Sequence, residues 1–252
     1  MKPRTLLSIV GAFTFVAVMD CVRSQISSRP LLRSFFVQST MSSPRAGSPY
    51  PVRFLKGYAV RQDGSWVLIS YGNQAGRQSQ IRDIYDVVDS VHTTLEDLTK
   101  SVQTRAISEF ESRFVKSAAS SCGGTAAGQM LGFDVEYKEE RGSVDYGTGG
   151  PVTSIIKTWL AADLGCFALK KETTWTRDKD GTLIVDTTDQ AVSVEFEPVD
   201  QCFLIPTDYT ERTPGEVLRE LSRLYPNQFP PPGDTSAIDE AYRIAHSKLL
   251  KH

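Results

Sequence analysis

The sequence predicts a mainly β fold of the α+β kind: a curled antiparallel β meander, one covering helix in mid-chain, and helices at the C-terminus. Three observations predict it. Short runs rich in Val, Ile, Thr and aromatic residues follow one another with tight-turn signals between them, where βαβ units would place long helical stretches. In the best-patterned runs apolar and polar residues alternate, as on a sheet with one buried and one wet face. Helical spacing is confined to one mid-chain segment and to the chain beyond Thr213.

The first 24 residues read as a secretory signal peptide. Lys2 and Arg4 form a positive start, and Thr5 to Met19 form an apolar run shorter than the roughly 20 residues that cross a bilayer. Val22 and Ser24 place a cut before Gln25. A retained N-terminal anchor is the competing reading. Cys21 follows Asp20, where a lipid-attachment site requires a small residue, which argues against lipidation. With no second apolar stretch of spanning length, the mature chain is expected to have no membrane span and to be periplasmic or extracellular. Residues 25–50, rich in Ser, Arg and Pro, predict a flexible linker, although Leu31, Leu32, Phe35, Phe36 and Val37 form an apolar patch able to dock.

The antiparallel β domain is expected over 51–226. Runs at 53–61 and 65–71 flank Gln62-Asp63-Gly64, a hairpin signal. The run 80–88 follows, and 91–107 reads as a hairpin broken near Asp97-Leu98-Thr99-Lys100, with Leu95 and Val102 toward a core. Phe110, Phe114, Val115 and Ala118 predict the covering helix over 108–121, ended by Cys122-Gly123-Gly124. Strands are then expected at 130–139, 151–161, 166–177 and 182–197, the last two joined through Arg177 to Gly181. Alternation is clearest at Phe167, Leu169, Lys171, Thr173 and Trp175, and at Val192, Val194 and Phe196. Thr213-Pro214-Gly215-Glu216 opens a helix with a capping box and a proline in its first turn, and Pro226 stops it. Residues 227–252 form a Pro-rich spacer and a last helix, whose stripe of Ile238, Ala241, Tyr242, Ala245 and Leu249 is thin.

Composition excludes some functions. A net charge of −2 lacks the basic footprint of nucleic-acid binding. Beyond the leader stand Cys122, Cys166 and Cys202, an odd number. An oxidising compartment permits one disulfide, and Cys122 with Cys166 is the expected pair, both being placed in loops. Three reduced cysteines are the alternative, and Cys202 beside Phe203 and Leu204 reads as a small buried hydrophobe.

Catalytic signals are lacking. His246 and His252 sit near the terminus, and His92, in a Thr-rich strand, reads as solvent-facing. The chain has no nucleophile elbow, zinc helix, phosphate loop or Cys-x-x-Cys pair. Asp178-Lys179-Asp180-Gly181 lacks the later ligands of a calcium loop and reads as a hairpin turn. No helix follows Gly147-Thr148-Gly149-Gly150 to present amides to a phosphate. The acids between Asp186 and Glu197 read as a solvated strand face. The expectation is a non-enzyme without metal or cofactor.

Two stretches carry a resemblance: Thr158-Trp159-Leu160-Ala161-Ala162-Asp163-Leu164-Gly165-Cys166, and the run from Glu197 to Tyr209 that closes on Phe203-Leu204-Ile205-Pro206-Thr207-Asp208-Tyr209. They resemble secreted bacterial proteins of unknown function and, more distantly, outer-membrane lipoprotein-sorting (LolA/LolB-like) half-barrel proteins. The resemblance covers about 130–210 well. It implies an incomplete barrel whose helices cover a hydrophobic concave face that accepts acyl chains, and it carries over no functional residue. Two helices after the closing motif depart from the pattern.

The expected function is an exported non-catalytic binding or carrier protein for an apolar ligand such as a lipid or lipoprotein acyl chain. Trp159, Phe167, Leu169, Trp175, Val194 and Phe196 would line the site. The alternative is a cell-envelope structural or protein-interaction module with a sealed core, docking an envelope protein through the spacer and last helix. A hydrolase using surface acids is the third reading.

Overall fold

The computed structural model describes residues 33–44, 52–74, 77–107, 121–145 and 150–249. Its first meander runs through β1 (Phe35–Ser43), β2 (Val52–Val60), β3 (Trp66–Gln74), β4 (Arg77–Asp86), β5 (Val91–Glu96) and β6 (Ser101–Ala106). The second runs through β7 (Thr125–Met130), β8 (Phe133–Asp145), β9 (Pro151–Ala161), β10 (Phe167–Arg177) and β11 (Leu183–Glu195). β12 (Thr210–Glu211), α1 (Pro214–Leu224) and α2 (Ser236–Ser247) follow. All strands join one sheet in the order β12-β6-β5-β4-β3-β2-β1-β11-β10-β9-β8-β7. Every neighbouring pair is antiparallel except β12 with β6.

The seam between the meanders is β1, paired with β2 on one side and β11 on the other. This corrects the linker reading of 25–50: residues 35–43 form a central strand. Its Ser-rich composition hides a period of two, in which Phe35, Val37 and Ser39 are buried and the residues between them half-buried. A second correction falls at 130–139. The chain reverses there at Leu131-Gly132, with φ of 51° and 84°, as a tight hairpin turn demands. The helix expected over 108–121 lies, but for Ser121, outside the described residues.

The turn at Gln62-Asp63-Gly64 forms as its sequence predicts: Gly64 takes φ 90°, and the Asp63 carboxylate accepts the Ser65 amide at 2.8 Å. Thr213 caps α1 in a full capping box with Glu216. On α2 the expected stripe fails, because Ile238 is 50% exposed while Asp239 is buried. That helix is held by polar contacts.

The sheet curls. Flat strands about 4.8 Å apart would put β2 and β10, with β1 and β11 between them, about 14 Å from one another. Yet the Tyr58 and Phe167 rings lie 5.3 Å apart, and Phe35 meets Phe167 edge-on at 5.8 Å. The face carrying these residues is therefore concave. Register shifts at Gln38/Ser39, Ala168/Lys170 and Trp175/Thr176 add local bend and twist. The opposite face of β2–β5 buries Ala59, Val67, Ile69, Ile84 and Leu95 beneath Val199, Cys202, Phe203 and Tyr209.

Candidate functional site: the concave face

One end of the concave face is an apolar floor. Phe35, Val37, Val60, Trp66, Val135, Ala161, Leu164, Phe167, Leu169 and Ala191 are buried together, drawn from both meanders. Of the residues expected to line a ligand surface, Phe167 (4% exposed) and Leu169 (0%) are sealed within this floor. Val194 and Trp159 pack half-buried against its border. The Trp159 ring has Tyr137 at 5.2 Å and the Lys170 ammonium 4.4 Å from its centroid. Phe196 is 41% exposed and reaches Phe35 at 6.5 Å and Phe133 at 6.1 Å, with the Arg33 guanidinium 4.8 Å from its ring. Trp175 is set apart, at the far end of β10 opposite Val185 and Ser154.

Among the described residues, one part of the floor's border is a lip, where Phe196 meets Phe133 of the β7–β8 hairpin and Val194 and Met130 pack half-buried against the same floor. Met130 and Phe133 were legible as apolar residues, but only the reversal at Leu131-Gly132 turns both toward the floor.

Beyond the floor the concave face becomes polar. Asp189 sits opposite Met41 on one side and Lys171 on the other. Its carboxylate accepts from Ser39 Oγ at 2.7 Å, Lys56 Nζ at 3.0 Å and Tyr58 OH at 3.0 Å. Burial holds the Lys171 ammonium below the usual lysine range, with Asp189 pulling it up and Lys56 pushing it down. Burial, then the Asp189 charge, raises the Tyr58 hydroxyl well above the ordinary tyrosine value. The acids of β11 are therefore not uniformly a solvated face: Asp189 is the anchor of a part-buried ion cluster.

His92 also differs from expectation. It is 6% exposed, stacked on Tyr85 at 4.2 Å, which itself stacks on Trp66 at 3.9 Å. Trp66, Tyr85, His92 and Arg105 are register partners on β3, β4, β5 and β6, so a ladder of planar groups crosses four strands. Asp83 Oδ1 lies 3.1 Å from His92 Nε2, and Thr94 Oγ1 lies 3.4 Å from the same nitrogen. A relay needs the acid and the hydroxyl on different ring nitrogens, so this trio is not a nucleophile triad. No group of three His, Cys, Asp or Glu able to hold a metal occurs among the described residues. A recess between β12 and α1 has Arg and Glu walls that pair with each other, as in Arg223–Glu220 at 2.7 Å.

Cys122 and Cys166 are joined by a disulfide, and Cys202 is free. Beside the bond, Glu136 Oε2 accepts from Gly124 N and Cys122 N, each at 2.9 Å, and from Ser121 Oγ at 3.0 Å. These hydrogen bonds, that of Gly124 foremost, hold its carboxyl below the ordinary value.

No protein-family model matches the sequence, and no curated protein does. Among solved structures, the chain is distantly similar to a LolA superfamily protein from Nitrosomonas europaea. The two share 12% identity over 70% of this chain and 92% of that one, at a TM-score of 0.28. So low a score lends no support to a shared function. No helix among the described residues is long and apolar enough to cross a membrane.

Proposed function

We propose that this chain is an exported, non-catalytic binding protein that holds an apolar ligand, such as a lipid or acyl chain, at the lip of its concave face. The observation that carries the reading is the half-open apolar group of Met130, Phe133, Val194 and Phe196, continuous with a buried floor. The Cys122–Cys166 bond supports the exported location, since such bonds persist in oxidising compartments. Phe167 and Leu169 act in this reading as the support behind the site, and Trp159, Val194 and Phe196 as its border.

The test is extraction of the purified protein and mass spectrometry of bound lipid, followed by titration with a fluorescent fatty acid. Phe133→Ala with Phe196→Ala should weaken that binding about tenfold or more, equivalent to roughly 1.4 kcal/mol. Lipid-free protein, and a double variant that binds the probe as the wild type does, would sink the proposal. The sealed floor, with Phe167 and Leu169 buried, favours the second reading, an envelope interaction module with a sealed core that docks a protein partner through the spacer and last helix.

A further inference from the structure

An edge strand offers unpaired amides and carbonyls to any passing strand. On β6 the outward carbonyls are taken up one after another by different groups. Thr210 N donates to Lys100 O at 2.9 Å, and Arg212 N to Val102 O at 3.0 Å, which is the short parallel pairing with β12. Where β12 ends, α2 takes over. Thr104 N donates to Tyr242 OH at 3.0 Å, and Thr104 O accepts from His246 Nδ1 at 2.7 Å. Arg105 then folds back onto Ala106 O at 3.2 Å. Two side chains of a helix thus occupy both backbone groups of one edge residue.

The hold of α2 is polar and local. Ile238 and Ile244 are 50% and 53% exposed, so little apolar area fastens the helix to the sheet. At its start, buried Asp239 accepts Gly215 N at 2.7 Å and Thr235 Oγ1 at 3.2 Å. A Cβ at Gly215 would collide with both residues, so this latch fits only a glycine. A Pro-rich spacer, including Pro230, Pro231 and Pro232, is the covalent link between α1 and α2 and would keep α2 tethered to the chain. At the other end of the sheet stands β7, with Thr125, Ala126, Ala127, Gly128 and Gln129 all exposed and none charged. Edges usually carry charge; the device β7 shows is a bulge between Ala126 and Gln129.

We propose that α2 is a removable guard on β6, and that with α2 lifted the stretch of the β6 edge beyond β12, centred on Thr104, accepts β7 of a second copy, continuing the sheet head to tail. The contact joins unlike surfaces and does not close on itself, so assembly grows beyond a dimer. The proposal does not rest on a ligand at the lip, although Met130 of the lip is the last residue of β7.

The test is made in the full-length chain. Tyr242→Phe with His246→Ala removes both groups from Thr104. Exchange of the Thr104 amide should quicken about tenfold, the equivalent of roughly one hydrogen bond. Sedimentation velocity should show mass rising with concentration where the wild type shows none. Adding Ala127→Pro, at a position outside the β7–β8 register, should restore the wild-type mass. A guard variant that exchanges faster yet keeps the wild-type mass at every concentration overturns the proposal, as does association that persists with Ala127→Pro. A peptide of residues 124–131 gives a second readout that needs no assembly. It should bind the guard variant and not the wild type, and equal binding to both also overturns the proposal.

Discussion

The two faces of the first meander bury comparable sets of apolar side chains by different means. The concave cluster draws on β1, β2 and β3 and on β8, β9, β10 and β11, so it exists only because distant strands curl toward each other. The opposite cluster lies on sequential strands β2 to β5 and is closed by the 199–209 segment. That segment is tied down by a few polar contacts: Arg82 to the Leu204 carbonyl at 3.1 Å, Arg61 to Asp200 at 3.0 Å, and Tyr209 to Asp97. One cluster is held by the shape of the whole sheet, the other by a strap. Damage to the first should be global, and damage to the second local.

Leu169→Ala tests the global side. The residue is fully buried where both meanders meet, and the substitution should cost about 4 kcal/mol. Urea unfolding should then report loss of both clusters in one transition at a lower midpoint; separate transitions would break the comparison. Asp189→Ala comes next. It strands Lys56, whose side chain is only 12% exposed, and should cost about 2 kcal/mol. Lys56→Met in the same chain should recover part of that loss, read as a coupling energy in a double-mutant cycle.

Tyr209→Phe should have the smallest effect, about 1 kcal/mol for one hydrogen bond, and should act locally. The sign to look for is faster reaction of the Cys202 thiol with a thiol reagent, with little change in the unfolding midpoint. The same residue gives a pH dependence. Burial, then the hydrogen bond to Asp97, pushes the Tyr209 hydroxyl up to about 12 from 10.0. A group whose folded value is raised contributes stability that is complete below its unfolded value and lost as pH rises through the folded one. The strap should therefore loosen between pH 10.0 and about 12 in the wild type, and Tyr209→Phe should lack that step.

Much of the fold was legible because it is written locally. The Gln62-Asp63-Gly64 turn, the break near Asp97 to Lys100 and the Thr213–Glu216 capping box each lie within a few residues, and all form. Strands β9, β10 and β11 fall within two residues of their expected ends. β1 was hidden because Ser and Thr alternate as well as Val does when a neighbour supplies the packing. The burial of His92 was hidden because Tyr85 and Trp66, which cover it, belong to other strands. For the same reason the alternation on β10 identified one face but not its fate: Phe167 is sealed by Phe35 and Tyr58, while Trp175 meets neither. Curvature decides that, and it is a property of the assembled sheet.

The stacking of Trp66 on Tyr85 also makes the molecule its own optical instrument. Its three tryptophans report on separate places: Trp66 within the aromatic ladder, Trp159 under an ammonium at the border of the floor, and Trp175 at the far end of β10. Single Trp→Phe variants would assign each emission band. Occupation of the lip should then shift the Trp159 signal alone, and loss of sheet curvature should shift all three.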